Sequence, residues 1–382
     1  MLTSSIAKGL VIESVIIYKV IYITITLFSI LIAYIARKVT FRRLSQKQAQ
    51  ALWMLVVSLL VAVFAAIRPL DIPDTKAYQA IFDKLYKPSA YISTFYRIGK
   101  RLYNMEMGFI FLFSILKEIS QSFRFSLFCI AFINGLIFLW ASVGIANLTL
   151  KQINFAESMA LFFSFFAYHY CCIALRAGMS LSLGMLAVYL VLKRKSVLSL
   201  IVLCGAMLFH SMALLFLPYI GFTLIDRGKT GFPWTVLLCC SIVCICVLFF
   251  NLGTVIIKFF TNLFLYILTK ANISGFSSYL LQVIGDQSGK RIWLAAIASI
   301  AVLFSVCRKG DVDRNMIIMV LIGMFITSFL YPITAISRAS DYCYAFLLPI
   351  IASCRIEKLP TFGKAFMGYA IFPIFFLLQM TI

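Results

Sequence analysis

Three arginines of this 382-residue chain stand where apolar runs end: Arg68, Arg176 in A-L-R-A-G-M-S, and Arg338 in R-A-S-D-Y-C-Y. A planar guanidinium fork takes phosphate oxygens two at a time. An ionisable group at the edge of hydrocarbon is costly unless it meets a partner or a cavity. Residue type and placement together point to recognition of an anion. Groups suited to proton transfer accompany the arginines: Asp71 and Asp74 flank Pro73, Glu106 opens E-M-G-F, and His210 interrupts an apolar run as F-H-S. Each could deprotonate a hydroxyl, and the residue types leave all four open. Asp341 follows Arg338 by three positions, the spacing that places two side chains on one helix face. There it can pair with Arg338 at a helix start, favoured by the N-terminal dipole, and hold it ready for a phosphate. Tyr78 and Tyr279 are aromatics that either stack on sugar faces or anchor at an interface. Two carboxylates without further oxygen ligands make no metal site, and no cysteine–histidine spacing suits zinc, so no metal is expected. The plainer structural alternatives are a solvated connector, a snorkelling arginine and a core histidine.

The elements that must position these groups are apolar. The chain is 63% hydrophobic and 12% charged, with mean hydropathy +1.02. Soluble domains are nearer half apolar and a quarter charged. Continuous apolar runs of about 17 to 25 residues recur, the pattern of membrane helices and not of an alternating barrel. An all-α polytopic membrane protein is expected, a single integral membrane domain over residues 1–382 with about twelve spans. No internal repeat or low-complexity segment divides it. The cysteines lie mostly within apolar runs, as small hydrophobes do, and no structural disulfide is expected. The first run is too long for a cleavable signal and is expected to stay as a span.

Basic loops orient the spans. Arg37, Lys38, Arg42, Arg43 and Lys47 follow the first run without an acid, and Lys193–Arg194–Lys195 follow the fifth; such loops mark the cytoplasm. The spans are expected near 15–36, 51–67, 125–146, 155–173, 178–192, two short helices over 197–225 with His210 at their outer turn, 232–250, 292–306, 316–336, 342–354 and 366–381. The run 107–116 is too short to cross and reads as a re-entrant or interfacial helix. This parity puts 68–106 and 251–291 outside. The first of these is the longest polar stretch, with Arg68, Lys76, Lys84, Lys87, Arg97, Lys100 and Arg101 among five tyrosines. Half of the 34 lysines and arginines then lie away from the inner loops. Orientation does not account for them. An anionic partner on the outer face does, whether membrane lipid or a lipid-linked phosphate; nucleic acid is not expected, because the bases are scattered between greasy spans.

Arg68, the D-I-P-D segment with Asp74, then Tyr78, Phe82 and E-M-G-F resemble the opening of EpsG-type and Wzy-type bacterial polysaccharide polymerases. Arg176 resembles that family's arginine-led helix start, F-H-S its histidine–serine segment, and R-A-S-D-Y-C-Y-A-F-L-L-P its late arginine–tyrosine motif. The order holds from Arg68 to Pro349. Pro73 departs from the usual glycine, and Ala177 from the usual glutamine. The resemblance implies a multi-pass protein of the bacterial inner membrane with its active face periplasmic. It would transfer a growing glycan from undecaprenyl pyrophosphate onto the next lipid-linked oligosaccharide repeat unit, without cofactor. The partners implied are that lipid-linked oligosaccharide, membrane lipids and a chain-length regulator. Arg68, Arg176 and Arg338 would hold the pyrophosphate, and His210, Asp74, Glu106 or Asp71 would be the base. A lipid-linked oligosaccharide flippase and an O-antigen ligase are the alternatives. The flippase fits less well, since the charges lie at span ends and the chain shows no two similar halves.

Overall fold

The computed structural model describes residues 2–36, 46–72, 74–85, 106–150, 155–225, 234–250, 314–330 and 339–352, with a few positions between 252 and 263. Pro73, Tyr279, Arg338, most of 251–291 and the expected spans 292–306 and 366–381 lie outside them. The described residues are helical, and no strand occurs among them.

The long helices form where the apolar runs are. They are α1 (Leu2–Ala36), α2 (Gln46–Ala66) and α5 (Phe123–Leu150). Between α2 and α5 come two shorter helices, α3 (Thr75–Lys84) and α4 (Met107–Ile119). Next follow α6 (Phe155–Leu161), a π-helical stretch Phe162–Ile173, α7 (Leu175–Leu192) and α8 (Ser196–Phe209). A 3-10 turn Ser211–Phe216 leads into α9 (Leu217–Ile225). The remainder are α10 (Trp234–Phe249), α11 (Arg314–Leu330), α12 (Ser340–Tyr344) and α13 (Leu347–Ala352).

Three stretches are long and apolar enough to cross a membrane: Ser14–Ile32, Phe123–Thr149 and Leu175–Leu192. Five shorter apolar helices, Gln50–Ala66, Ser196–Phe209, Ser211–Ile225, Thr235–Val247 and Arg314–Leu330, each coincide with an expected span. Two expectations change. The region of the expected span 342–354 is not one helix: α12 and α13 are separated at Ala345–Phe346, because Pro349 cannot donate an amide to the Ala345 carbonyl. Arg176, expected between the spans 155–173 and 178–192, is the second residue of α7, as its likeness to an arginine-led helix start implies. Its helix starts early, since the π-helical stretch ends abruptly at Ala174, whose amide donates back to the His169 carbonyl at 2.7 Å.

The core falls into two parts. The larger joins α1, α2, α5, the π-helical stretch, α7, α9, α11 and α12. The smaller holds Tyr78, Ile81, Phe82, Phe109, Ile110, Phe113 and Leu116 from α3 and α4, seated on Leu127, Ile130, Leu175 and Met179. α3 is amphipathic, burying Thr75, Tyr78, Ile81 and Phe82 and leaving Lys76, Asp83 and Lys84 exposed. Its C-terminal carbonyls are held by Lys117 of α4, whose ammonium donates to Phe82, Asp83 and Leu85 at 2.5, 3.1 and 3.0 Å. A cation there complements the negative end of the helix. At about 1.5 Å per residue α4 is about 20 Å long, short of a hydrocarbon core of about 30 Å.

Candidate functional site

Four of the residues singled out from sequence meet at one place. Arg176 and Glu106 form an ion pair through Nη1 and Oε2, with side chains 25% and 26% exposed. Tyr78 lies close enough to Arg176 for the guanidinium charge to act on its phenol. The Arg68 guanidinium lies over the Tyr78 ring, 5.7 Å from its centroid. Arg68 is enclosed rather than lining an open cavity: it is 1% exposed, covered by Tyr78 and by the π-helical stretch, whose Cys172 carbonyl accepts from its Nη1. Its Nε and Nη2, and the Nε of Arg176, have no acceptor among the described residues. Burial lowers the Arg68 pKa from its ordinary value and raises that of Tyr78, so the phenol stays protonated.

The motif E-M-G-F accounts for its own spacing. Glu106 precedes the first turn of α4 with extended backbone and makes no side-chain hydrogen bond to that helix. Gly108 lets α4 close on α8: a Cβ there would come within 2.9 Å of the Leu208 Cβ and carbonyl oxygen. Phe109 packs on Tyr78 with ring centroids 5.1 Å apart. The segment after Arg176 works similarly. A Cβ on Gly178 would lie 1.9 Å from the Tyr170 carbonyl oxygen and 2.3 Å from Asn134 Nδ2. That carbonyl is held by Asn134 at 2.8 Å, so α7 starts in close contact with α5 and the π-helical stretch.

His210 breaks the apolar run between α8 and the 3-10 turn with an extended backbone, φ −165° and ψ 128°. Its Nδ1 accepts the Met212 amide at 3.3 Å. An amide cannot reverse that bond, so the neutral imidazole carries its proton on Nε2. The His210 carbonyl accepts from Ser180 of α7 at 3.0 Å, which ties the turn to the Arg176 helix. Tyr342 of α12 completes the group. Its ring lies 6.1 Å from that of His210 and its hydroxyl donates to the Ala177 carbonyl at 3.3 Å. It neighbours Arg176, Glu106 and Asp341. Asp341 itself occupies the first turn of α12. Tyr342 was not singled out from sequence; the available signal was an aromatic four residues after Arg338.

The other two acids stand apart. Asp71 is exposed and ion-paired with the exposed Lys76. Asp74 is exposed in a left-handed backbone, φ 66°, ahead of α3, where its charge acts on Arg68 and Tyr78. What the arrangement offers is two guanidinium groups near one phenol, a carboxylate paired with one of them, and an imidazole whose backbone is tied to the same helix. Such a set can hold an anion and move one proton.

Comparison with known proteins adds one finding. The family model described as EpsG family matches residues 50–382, a range that takes in every residue of this group. No curated protein and no solved structure matches the chain.

Proposed function

The chain belongs to the EpsG family, whose members are like the Wzy-type polysaccharide polymerases, and on that premise we propose that it lengthens a glycan at the periplasmic face of the inner membrane. The donor is a growing glycan on undecaprenyl pyrophosphate, and the acceptor is the next lipid-linked repeat unit. An acceptor hydroxyl oxygen bonds to the donor's anomeric carbon as the bond from that carbon to the pyrophosphate oxygen breaks. The electron pair leaves on the lipid pyrophosphate, and the hydroxyl proton passes to a base of the protein. A pyrophosphate is already a good leaving group, so the protein's part is placement and charge stabilisation.

The observation that carries this reading is the partly exposed Arg176 guanidinium, paired with Glu106 near Tyr78, with Arg68 fixed behind that ring. In this reading Arg176 contacts the pyrophosphate. Arg68 adds a second positive charge through a low-dielectric wall, where charge acts over longer range. Arg338, four residues before Tyr342, supplies the third. Lysine keeps the charge but loses the fork. Arg176→Lys should therefore lower polymer yield about a hundredfold, the usual cost of one charge-stabilising donor, while Lys84→Ala on the exposed face of α3 leaves it unchanged. Electrophoresis of surface glycan from a deletion strain tests the reaction: single repeat units without long chains are expected. Full-length polymer in that strain rejects polymerisation. Loss of single units as well points instead to flipping or ligation.

A further inference from the structure

We propose that the Glu106–Arg176 ion pair is a resting lock that the donor's pyrophosphate displaces, and that the carboxylate so released takes the proton of the acceptor hydroxyl. This rests on the reading of Arg176 as a pyrophosphate ligand. The resting pair uses one guanidinium nitrogen, Nη1. The Arg176 Nε is buried and has no acceptor among the described residues, so the guanidinium is only partly used at rest and a second arm becomes available to a ligand once Glu106 moves aside. A pyrophosphate carries more charge than a carboxylate and offers several oxygens, so it can engage the fork where Glu106 engages one arm. Arg68, fixed behind Tyr78, adds attraction for the more highly charged competitor. Both members of the pair are about a quarter exposed, 25% and 26%, so a ligand can reach them.

The carboxylate is also free to swing. Glu106 precedes α4 in extended backbone and is not capping that helix. Release leaves it beside a pyrophosphate, where like charge favours proton uptake. The acceptor O–H bond breaks as the proton moves to a Glu106 oxygen, the new oxygen–carbon bond forms, and the old one breaks toward the pyrophosphate. When the lipid pyrophosphate departs, Glu106 gives its proton to water and pairs with Arg176 again. The remaining candidate bases are placed less well. Asp71 is held by Lys76, and Asp74 is exposed ahead of α3. His210 accepts an amide on Nδ1, which makes the neutral ring a donor at Nε2 rather than a base.

The experiment compares the full chain in detergent, using farnesyl pyrophosphate as the binding probe, with polymer yield in cells. Removing the competitor while keeping its shape, as in Glu106→Gln, should tighten binding at least about threefold and cut polymer about a hundredfold or more, the range for losing a general base. Glu106→Asp, which keeps the charge but shortens the reach, should fall between wild type and Glu106→Gln in polymer yield. Weaker binding by Glu106→Gln that melts like wild type means the pair builds the site, and it overturns the exchange; if Glu106→Gln melts lower, Glu106→Asp binding more weakly than wild type does the same. Undiminished polymer from Glu106→Gln overturns it too. Equal affinity of wild type and Arg176→Ala is a different failure: it removes Arg176 as a pyrophosphate ligand, and the proposed site with it.

Discussion

Arg68 is the residue whose placement is hardest to explain by stability alone. Its guanidinium is 1% exposed, holds one carbonyl, and leaves Nε and Nη2 without acceptors among the described residues. Taking an ion out of water costs several kcal/mol, and apolar replacements of buried ions are often neutral or stabilising. Arg68→Met leaves the Cys172 carbonyl without its donor, about 1 to 3 kcal/mol, but it removes two unmet donors and the desolvated charge. The expected outcome is a protein that melts in detergent no lower than wild type yet makes no long polymer. A large fall in melting temperature with polymer retained would assign Arg68 to the fold. From sequence, Arg68, Tyr78, Glu106 and Arg176 are legible one at a time, because a charge or a phenol beside an apolar run stands out. Their meeting is not. Glu106 and Arg176 are 70 residues apart, and no local spacing encodes a contact of that range. Tyr342 stands inside the late arginine–tyrosine motif, but that motif gives no sign that its ring reaches His210.

Helices α4, α7 and α8 carry the site through two glycines that permit close approach. At Gly108 the obstacle to a side chain is the Leu208 backbone, which cannot rotate away. Gly108→Ala therefore pushes α4 off α8 and draws Glu106 from Arg176, although every chemical group remains. Polymer yield should fall at least tenfold, while the neighbouring Met107→Ala, at a position 42% exposed, leaves it unchanged. Unimpaired polymer from Gly108→Ala would show that the helix contact does not position Glu106. The helices themselves were largely readable, since long apolar runs leave few alternatives in lipid, and His210 marked a real break. The π-helical stretch Phe162–Ile173 was not readable. Its sequence F-F-S-F-F-A-Y-H-Y-C-C-I has nothing that separates it from an α-helix; Asn134 and Arg68 satisfy the carbonyls of Tyr170 and Cys172 that its end leaves open. The split between α12 and α13 could have been read from Pro349.

Across the whole molecule, α7 sets the geometry. It carries Arg176 in its first turn and ends directly before Lys193–Arg194–Lys195. Its eighteen residues rise about 27 Å, close to the thickness of the hydrocarbon core. Reporter fusions should therefore report 193–195 from the cytoplasm and 68–106 from the periplasm; the reverse assignment would overturn the orientation derived from the basic loops. That orientation came from loop charge, a signal that needs no tertiary contact. The division of the core into two clusters needs tertiary contacts and left no trace in the pattern. That division has a consequence for how the protein comes apart. Leu175 and Met179 belong to the smaller cluster, whereas Ile173 and Leu181 belong to the larger, so Arg176 sits on the boundary between two cooperative units. Units with separate cores open at separate free energies. Thermal fluctuation should release α3 and α4 together, as one foldon, before the long helices yield. The Glu106–Arg176 pair lies on that fault line, so amide protons of α3 and α4 exchange with solvent in a step that leaves α5 and α7 protected.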